Sequence, residues 1–268
     1  MSLRCETRCR LLVLALLLAL TPPVWASEPA SCGEPMPDLA GSWAMIQFMP
    51  KVANLPLVGQ ATITAVVSLV VEIEQQSASL IMRDTYCHTE VLSSNWVLSS
   101  QVPDTVVASF DPPARTATLY ETEEGWKLDQ DWHLEIRGCT LAEPETEDLP
   151  VSADDPRVFD SDGDGHAGFT VPVRALGIIG GDTYVVQRLR YRTVGADVSV
   201  DRIEGPLDWS SEQIVVDASD AFLKTGFEEW NDPDPDVHRF FMVRLEEDAG
   251  CEEALSILEA ALIAYDRP

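Results

Sequence analysis

Ala61-Thr62-Ile63-Thr64-Ala65-Val66-Val67-Ser68-Leu69-Val70-Val71-Glu72-Ile73 is the run that sets the fold class of this 268-residue chain. Eight of its thirteen residues are Val, Ile or Thr. Such side chains are stiff at χ1 and pack well on a pleated surface, so the run reads as a strand. The same signal extends in both directions. Upstream, 41–48 is a candidate strand. Downstream, 80–91, 105–110, 114–122 and 126–136 follow, separated by turn residues such as Asp111-Pro112-Pro113 and Glu124-Gly125. Residues 142–157 are acidic, contain proline and read as a long loop. Strand signals resume at 169–179, 183–193, 198–203 and 213–216, with Gly180-Gly181 as a hairpin turn, and 238–245 is the last. Cys251, Leu255, Leu258, Leu262 and Tyr265 then recur at helical spacing, with Glu252, Glu253 and Glu259 off that stripe. The pattern predicts a mostly β, antiparallel domain, a meander closed as a barrel or packed as a sandwich, with one C-terminal α-helix on the sheet.

The start of the chain is of another kind. Arg4, Arg8 and Arg10 precede an apolar run over 11–20, and Val24-Trp25-Ala26 offers a small-residue cleavage site. This is the layout of a secretory signal over 1–26, and the apolar run is too short for a comfortable membrane span. We expect cleavage near Ala26, a secreted or periplasmic protein, and no stable membrane insertion afterwards. An extended lead-in at 27–38 would then precede a single β-rich domain over 39–268, with the acidic and glycine-rich loops at 142–168. Losing three arginines and one glutamate takes the formal charge from −27 to −29. That excess argues against nucleic acid as a partner. Four cysteines remain after cleavage, Cys32, Cys87, Cys139 and Cys251. In an exported chain an even number suggests two disulfides, with three pairings open.

Asp160-Ser161-Asp162-Gly163-Asp164-Gly165-His166-Ala167-Gly168 carries the clearest chemistry. Three carboxylates alternate with small residues and end on glycine. A tight loop of this kind supplies several oxygen ligands to a hard cation, and Ca²⁺ is the expected cofactor. Asp160, Asp162 and Asp164 take the first, third and fifth places of the loop, and Gly165 the sharp turn at the sixth. His166 takes the seventh, where the ligand is a backbone carbonyl. The stretch resembles the calcium loops of EF-hands, dockerins and thrombospondin type 3 repeats. Val171 stands where an EF-hand places its bidentate glutamate, and the flanks 157–159 and 169–171 favour strands. The resemblance therefore implies a structural staple rather than a helix–loop–helix sensor, with affinity on the order of 10⁻⁴ to 10⁻³ M. The missing carboxylate is expected from Asp155 or Asp154.

Gly41-Ser42-Trp43, just after Pro37-Asp38-Leu39, resembles the Gly-x-Trp start of lipocalins and related calycin barrels. That resemblance implies a closed barrel whose tryptophan plugs one end and is covered by an arginine from the last strand. Arg239 and Arg244 are the candidates. A barrel of eight or more strands can enclose a ligand, so a small apolar molecule is the implied partner. Arg188, Arg190 and Arg192 alternate along one strand and share a face. A four-residue hairpin loop at 193–196 would set Arg192 opposite Asp197, Arg190 opposite Ser199 and Arg188 opposite Asp201, an ion-paired face rather than an anion site. Gly-x-Ser-x-Gly and His-Glu-x-x-His motifs are absent from the sequence. The leading functional reading is an exported, calcium-stabilised, non-catalytic binding or structural module. A calcium-stabilised secreted hydrolase and a calcium-dependent surface or adhesion component are the alternatives.

Overall fold

The structure is a computed structural model that describes residues 35–55, 59–94, 98–175, 179–224 and 228–264. The expected signal segment and Cys32 lie outside these residues. In chain order the elements are β1 (Gly41–Leu55), β2 (Gly59–Gln76), β3 (Ser79–Ser93), β4 (Leu98–Gln101), α1 (Asp104–Val107), β5 (Arg115–Thr122), β6 (Gly125–Gln130) and β7 (His133–Arg137). They continue with β8 (Phe169–Ala175), β9 (Ile179–Gly195), β10 (Asp197–Val198), β11 (Arg202–Ala218), β12 (Glu228–Asn231), β13 (Arg239–Arg244) and α2 (Cys251–Ala264). Every ladder between strands is antiparallel. Eight strands close a ring in chain order, β1-β2-β3-β5-β6-β9-β11-β13 and back to β1. Closure leaves this ring without a terminal edge strand, since each of its members is laddered on both sides over part of its length. No helix among the described residues is long and apolar enough to cross a membrane.

The opening run now has its explanation. On β2, Val67, Leu69, Val71 and Ile73 face the barrel interior with Trp43, Met45 and Met49 of β1. The intervening Val66 and Val70, with Ala44, Ile46 and Phe48, lie in the clusters that α2 covers through Ala254, Ile257 and Leu258. A strand buried on both faces loses the polar alternation of a half-exposed one. The disulfide Cys87–Cys251 ties the start of α2 to β3 across 164 residues.

Trp43 is fully buried and donates from Nε1 to the Leu39 carbonyl at 2.9 Å. The Arg244 guanidinium lies 4.6 Å from its ring centroid and donates to the carbonyls of Ala40 (2.7 Å) and Asp38. Of the two arginines considered, Arg244 therefore covers the tryptophan. Arg239 lies over Phe48 instead.

Several element readings are corrected. Residues 105–110, expected as a strand, hold α1 and a turn. Pro103 precedes the helix, and consecutive Val106 and Val107 both enter the core, which period-two reading cannot accommodate. The expected strand at 126–136 breaks into β6 and β7 around Asp131 and Trp132. Gly180 and Gly181 lie inside β9 rather than in a turn, and the β8–β9 connection falls at 176–178, outside the described residues. Residues 199–201 turn between β10 and β11. The short strand expected at 213–216 is the tail of the 17-residue β11, whose outward Glu, Ser and Gln residues hid its length.

The arginine register is corrected too. β9 runs to Gly195, and Arg188, Arg190 and Arg192 pair in register with Glu212, Ser210 and Asp208 of β11. They are ion-paired as expected, with different partners: Arg188 with Glu212 at 2.8 Å, Arg190 with Glu145 at 4.0 Å, and Arg192 with Asp129 at 2.6 Å. Arg188 also donates to the Glu147 carbonyl. Two of these contacts reach the 142–157 loop, while Leu141 and Leu149 pack on Tyr184, Val186 and Val216. The cationic stripe thus fastens the acidic loop to the outside of the barrel.

Candidate functional site

The glycine-rich loop lies between the acidic loop and β8. Its ends are closed by backbone bonds: Gly168 N–H donates to the Phe159 carbonyl at 2.8 Å and Ser161 N–H to the Gly168 carbonyl at 2.9 Å. Gly163, Gly165 and Gly168 have φ of +74°, +92° and +94°, values that L side chains rarely adopt. Gly168 is doubly required, because a Cβ there would sit 2.5 Å from the Val185 carbonyl oxygen of β9.

This folding brings Asp160, Asp162 and Asp164 together, with one ligand atom of each within 4.8 Å of the others. The cluster could hold a metal ion. Asp160 accepts from the N–H groups of Gly163 (2.7 Å), Asp164 (3.2 Å) and Gly165 (2.8 Å). Those bonds, the one from Gly165 first, hold its carboxyl below the ordinary carboxylate range. Asp164 accepts from His166 N–H at 2.8 Å and from the Thr170 hydroxyl at 2.6 Å. Asp162 differs. Its Oδ2 accepts from Thr170 N–H at 2.9 Å, but Oδ1 is closed off from solvent and receives no hydrogen bond. Burial, and then the neighbouring Asp164, push its carboxyl up. A shielded anionic oxygen beside two other carboxylates is costly without a positive partner, and a cation at their meeting point would supply one.

The other expected ligands fall differently. The His166 imidazole stacks on Tyr184 with centroids 4.1 Å apart and planes 6° from parallel, so the side chain is spent on packing. Asp155 is clamped by Arg157, with Nε–Oδ1 at 3.0 Å and Nη2–Oδ2 at 2.8 Å. The structure does not bring it into the aspartate cluster. Arg157 also reaches Glu147, so both acids brace the loop. Cys139, expected in a disulfide, is a free thiol among the described residues, buried among Leu141, Leu149 and Val186, and burial pushes it up to about 11.

Sequence reasoning missed a second constellation. β3 pairs with β5 only through 79–82 and with β4 only through Glu90 and Val91. Between them, β3 faces β7, which pairs only with β9 among the described residues. Side chains bridge this seam. The Tyr86 hydroxyl meets Glu135 at 2.9 and 3.1 Å and accepts from Arg137 at 2.6 Å. Asp84, whose carboxylate is closed off from solvent, takes two bonds from Arg115, at 2.7 and 2.8 Å, and one from the Tyr191 hydroxyl at 3.1 Å. Gln130 joins Arg115 to the Thr193 hydroxyl. Despite burial, Arg137 and His133 pull the Glu135 carboxyl down to about 2. It is a fixed anion rather than a poised acid. His133, Glu135 and Arg137 alternate in the sequence, which places them on one strand face. That signal was legible, but their partners 49 or more residues earlier were not.

Compared with protein-family models, curated proteins and solved structures, the chain matches none.

Proposed function

We propose that this chain is an exported, calcium-stabilised β-barrel module of lipocalin or calycin type, non-catalytic, serving in binding or as a structural unit. The observation that carries the calcium reading is the solvent-shielded, unpartnered Oδ1 of Asp162, in a carboxylate that clusters with those of Asp160 and Asp164. All three donors are hard oxygens, the set that suits Ca²⁺ rather than a softer metal. His166 would add its backbone carbonyl. The Arg244–Trp43 stack and the eight-stranded ring in chain order support the calycin-like reading. The Cys87–Cys251 disulfide supports an oxidising compartment. A small apolar molecule is the ligand class for such a barrel.

The test is calorimetric titration of CaCl₂ into chelator-treated protein, alongside Asp162→Asn. A saturable heat in the wild type that the variant lacks supports the reading. No heat, or equal heat in both, refutes it. Native mass spectrometry of the purified protein would identify a co-purifying apolar ligand.

A further inference from the structure

We propose that cation binding at the Asp160–Asp164 loop controls the closure of the β3–β7 seam, acting through a plug formed by residues 102–110. This inference rests on the calcium reading above and assigns that site a regulated element.

The seam is a part of the barrel wall that no backbone ladder closes among the described residues. Residues 83–89 of β3 form no strand pair on the β7 side among the described residues. A ladder would have to be broken bond by bond, whereas side-chain bridges and a packed plug release together. The plug sits against this gap. Val102, Val106 and Val107 enter the main core, and His88 Nδ1 lies 2.9 Å from Asp104 Oδ1. Pro103 stands at one end and Pro112-Pro113 beyond the other, so the bending is confined to a few residues.

Phe110 is the wedge. Its ring lies 5.5 Å from Tyr86 and 5.5 Å from Phe169, edge to face with both. The Arg137 guanidinium stacks 4.1 Å from it. One ring thus touches both sides of the seam and the first residue of β8. Phe169, paired with Val185 of β9, directly adjoins the cation loop. It follows Gly168, whose N–H and carbonyl close the loop, and precedes Thr170, whose N–H and hydroxyl bind Asp162 and Asp164. The only residue between these anchors is therefore the one that pins Phe110. With a cation drawing the three carboxylates together, Thr170 and Phe169 are fixed and the wedge is held. Without it, repulsion among the carboxylates loosens the same residues, and the wedge with them.

Hydrogen–deuterium exchange on the full chain tests this, comparing 83–89 and 102–110 with β1, β2 and α2 in CaCl₂ and in chelator. If opening of the plug requires release of the ion, calcium at ten times its dissociation constant slows exchange there about tenfold. Amides of α2 that open locally, without release of the ion, do not change, whereas β1 and β2 amides that exchange only through global unfolding slow by the same factor. Phe110→Leu keeps the apolar contact but removes the ring stacking. It should retain the calorimetric calcium signal while the plug no longer responds. Calcium binding with no slowing at 83–89 and 102–110, or with slowing of the locally opening α2 amides by the same factor, overturns the coupling and leaves the calcium reading standing. Absence of calcium binding overturns both.

Discussion

Replacing Asp162 with asparagine separates a cation site from an ordinary acidic turn, because the two give opposite signs in chelator. Asparagine keeps an acceptor for Thr170 N–H and puts an amide where the unpartnered Oδ1 stands, among the carboxylates of Asp160 and Asp164. In chelator the variant should therefore equal the wild type or exceed it by up to about 1 kcal/mol, since it removes a shielded charge and adds a donor. In calcium the order reverses. At ten times the dissociation constant the wild type gains about 1.4 kcal/mol, a midpoint rise of roughly 3–6 °C for a chain of this size, and the variant gains little. The pH dependence follows from the raised Asp162 carboxyl. The native state binds that proton more tightly than the unfolded chain does, so the penalty grows as pH rises from the ordinary 3.8 through the raised native value. In chelator, the advantage of the variant should be full at neutral pH and vanish below 3.8. Differential scanning calorimetry in calcium and in chelator, from about pH 3 to 7, reads all three effects. A variant that keeps the calcium shift, or that falls more than about 1 kcal/mol below the wild type in chelator, would refute the reasoning.

Three further outcomes are expected. Arg115→Met leaves Asp84 buried without its bidentate partner, at a cost of about 3–5 kcal/mol in urea unfolding; a loss under about 1 kcal/mol would show that the seam tolerates an unpaired charge. Glu135, pulled down to about 2, contributes stability that is intact above its ordinary 4.5 and lost as pH falls from there towards 2. Glu135→Gln should flatten acid unfolding in that window, and an unchanged acid profile contradicts the assignment. The disulfide closes a loop of 164 residues, so Cys87→Ala with Cys251→Ala should cost about 2–5 kcal/mol and expose α2 to limited proteolysis. Equal stability and equal protection of α2 would disprove that tether.

The alternating aspartates, the glycines between them and the apolar stripe of α2 are local patterns, fixed by the spacing of neighbours along one segment. They are legible in the sequence alone, as are the β-branched run at 61–73 and Gly41-Ser42-Trp43. Which arginine covers Trp43 is a matter of closure between the first and last strands, and spacing could not choose between Arg239 and Arg244. The two-sided burial of β2 depends on α2 returning to its outer face from the far end of the chain. The arginine stripe found its acids in β6, β11 and the acidic loop rather than across a nearby turn. A longer β9 moved the register, and a register shift exchanges every cross-strand neighbour.

The seam needed the tertiary structure most. His133, Glu135 and Arg137 announce only that a strand carries charge inward. That this charge is tolerable follows from Tyr86, which β2 and β3 bring to it, and Asp84 and Arg115 neutralise each other beside it. Burial of ionised groups is decided by partners in space, which no local pattern encodes. By itself, the sequence determined the strand-rich class, the terminal helix and the composition of the aspartate–glycine loop. The fold decided that Asp155 would brace Arg157, that Cys139 would be a buried free thiol among the described residues, and that one oxygen of Asp162 would be shielded without a hydrogen bond.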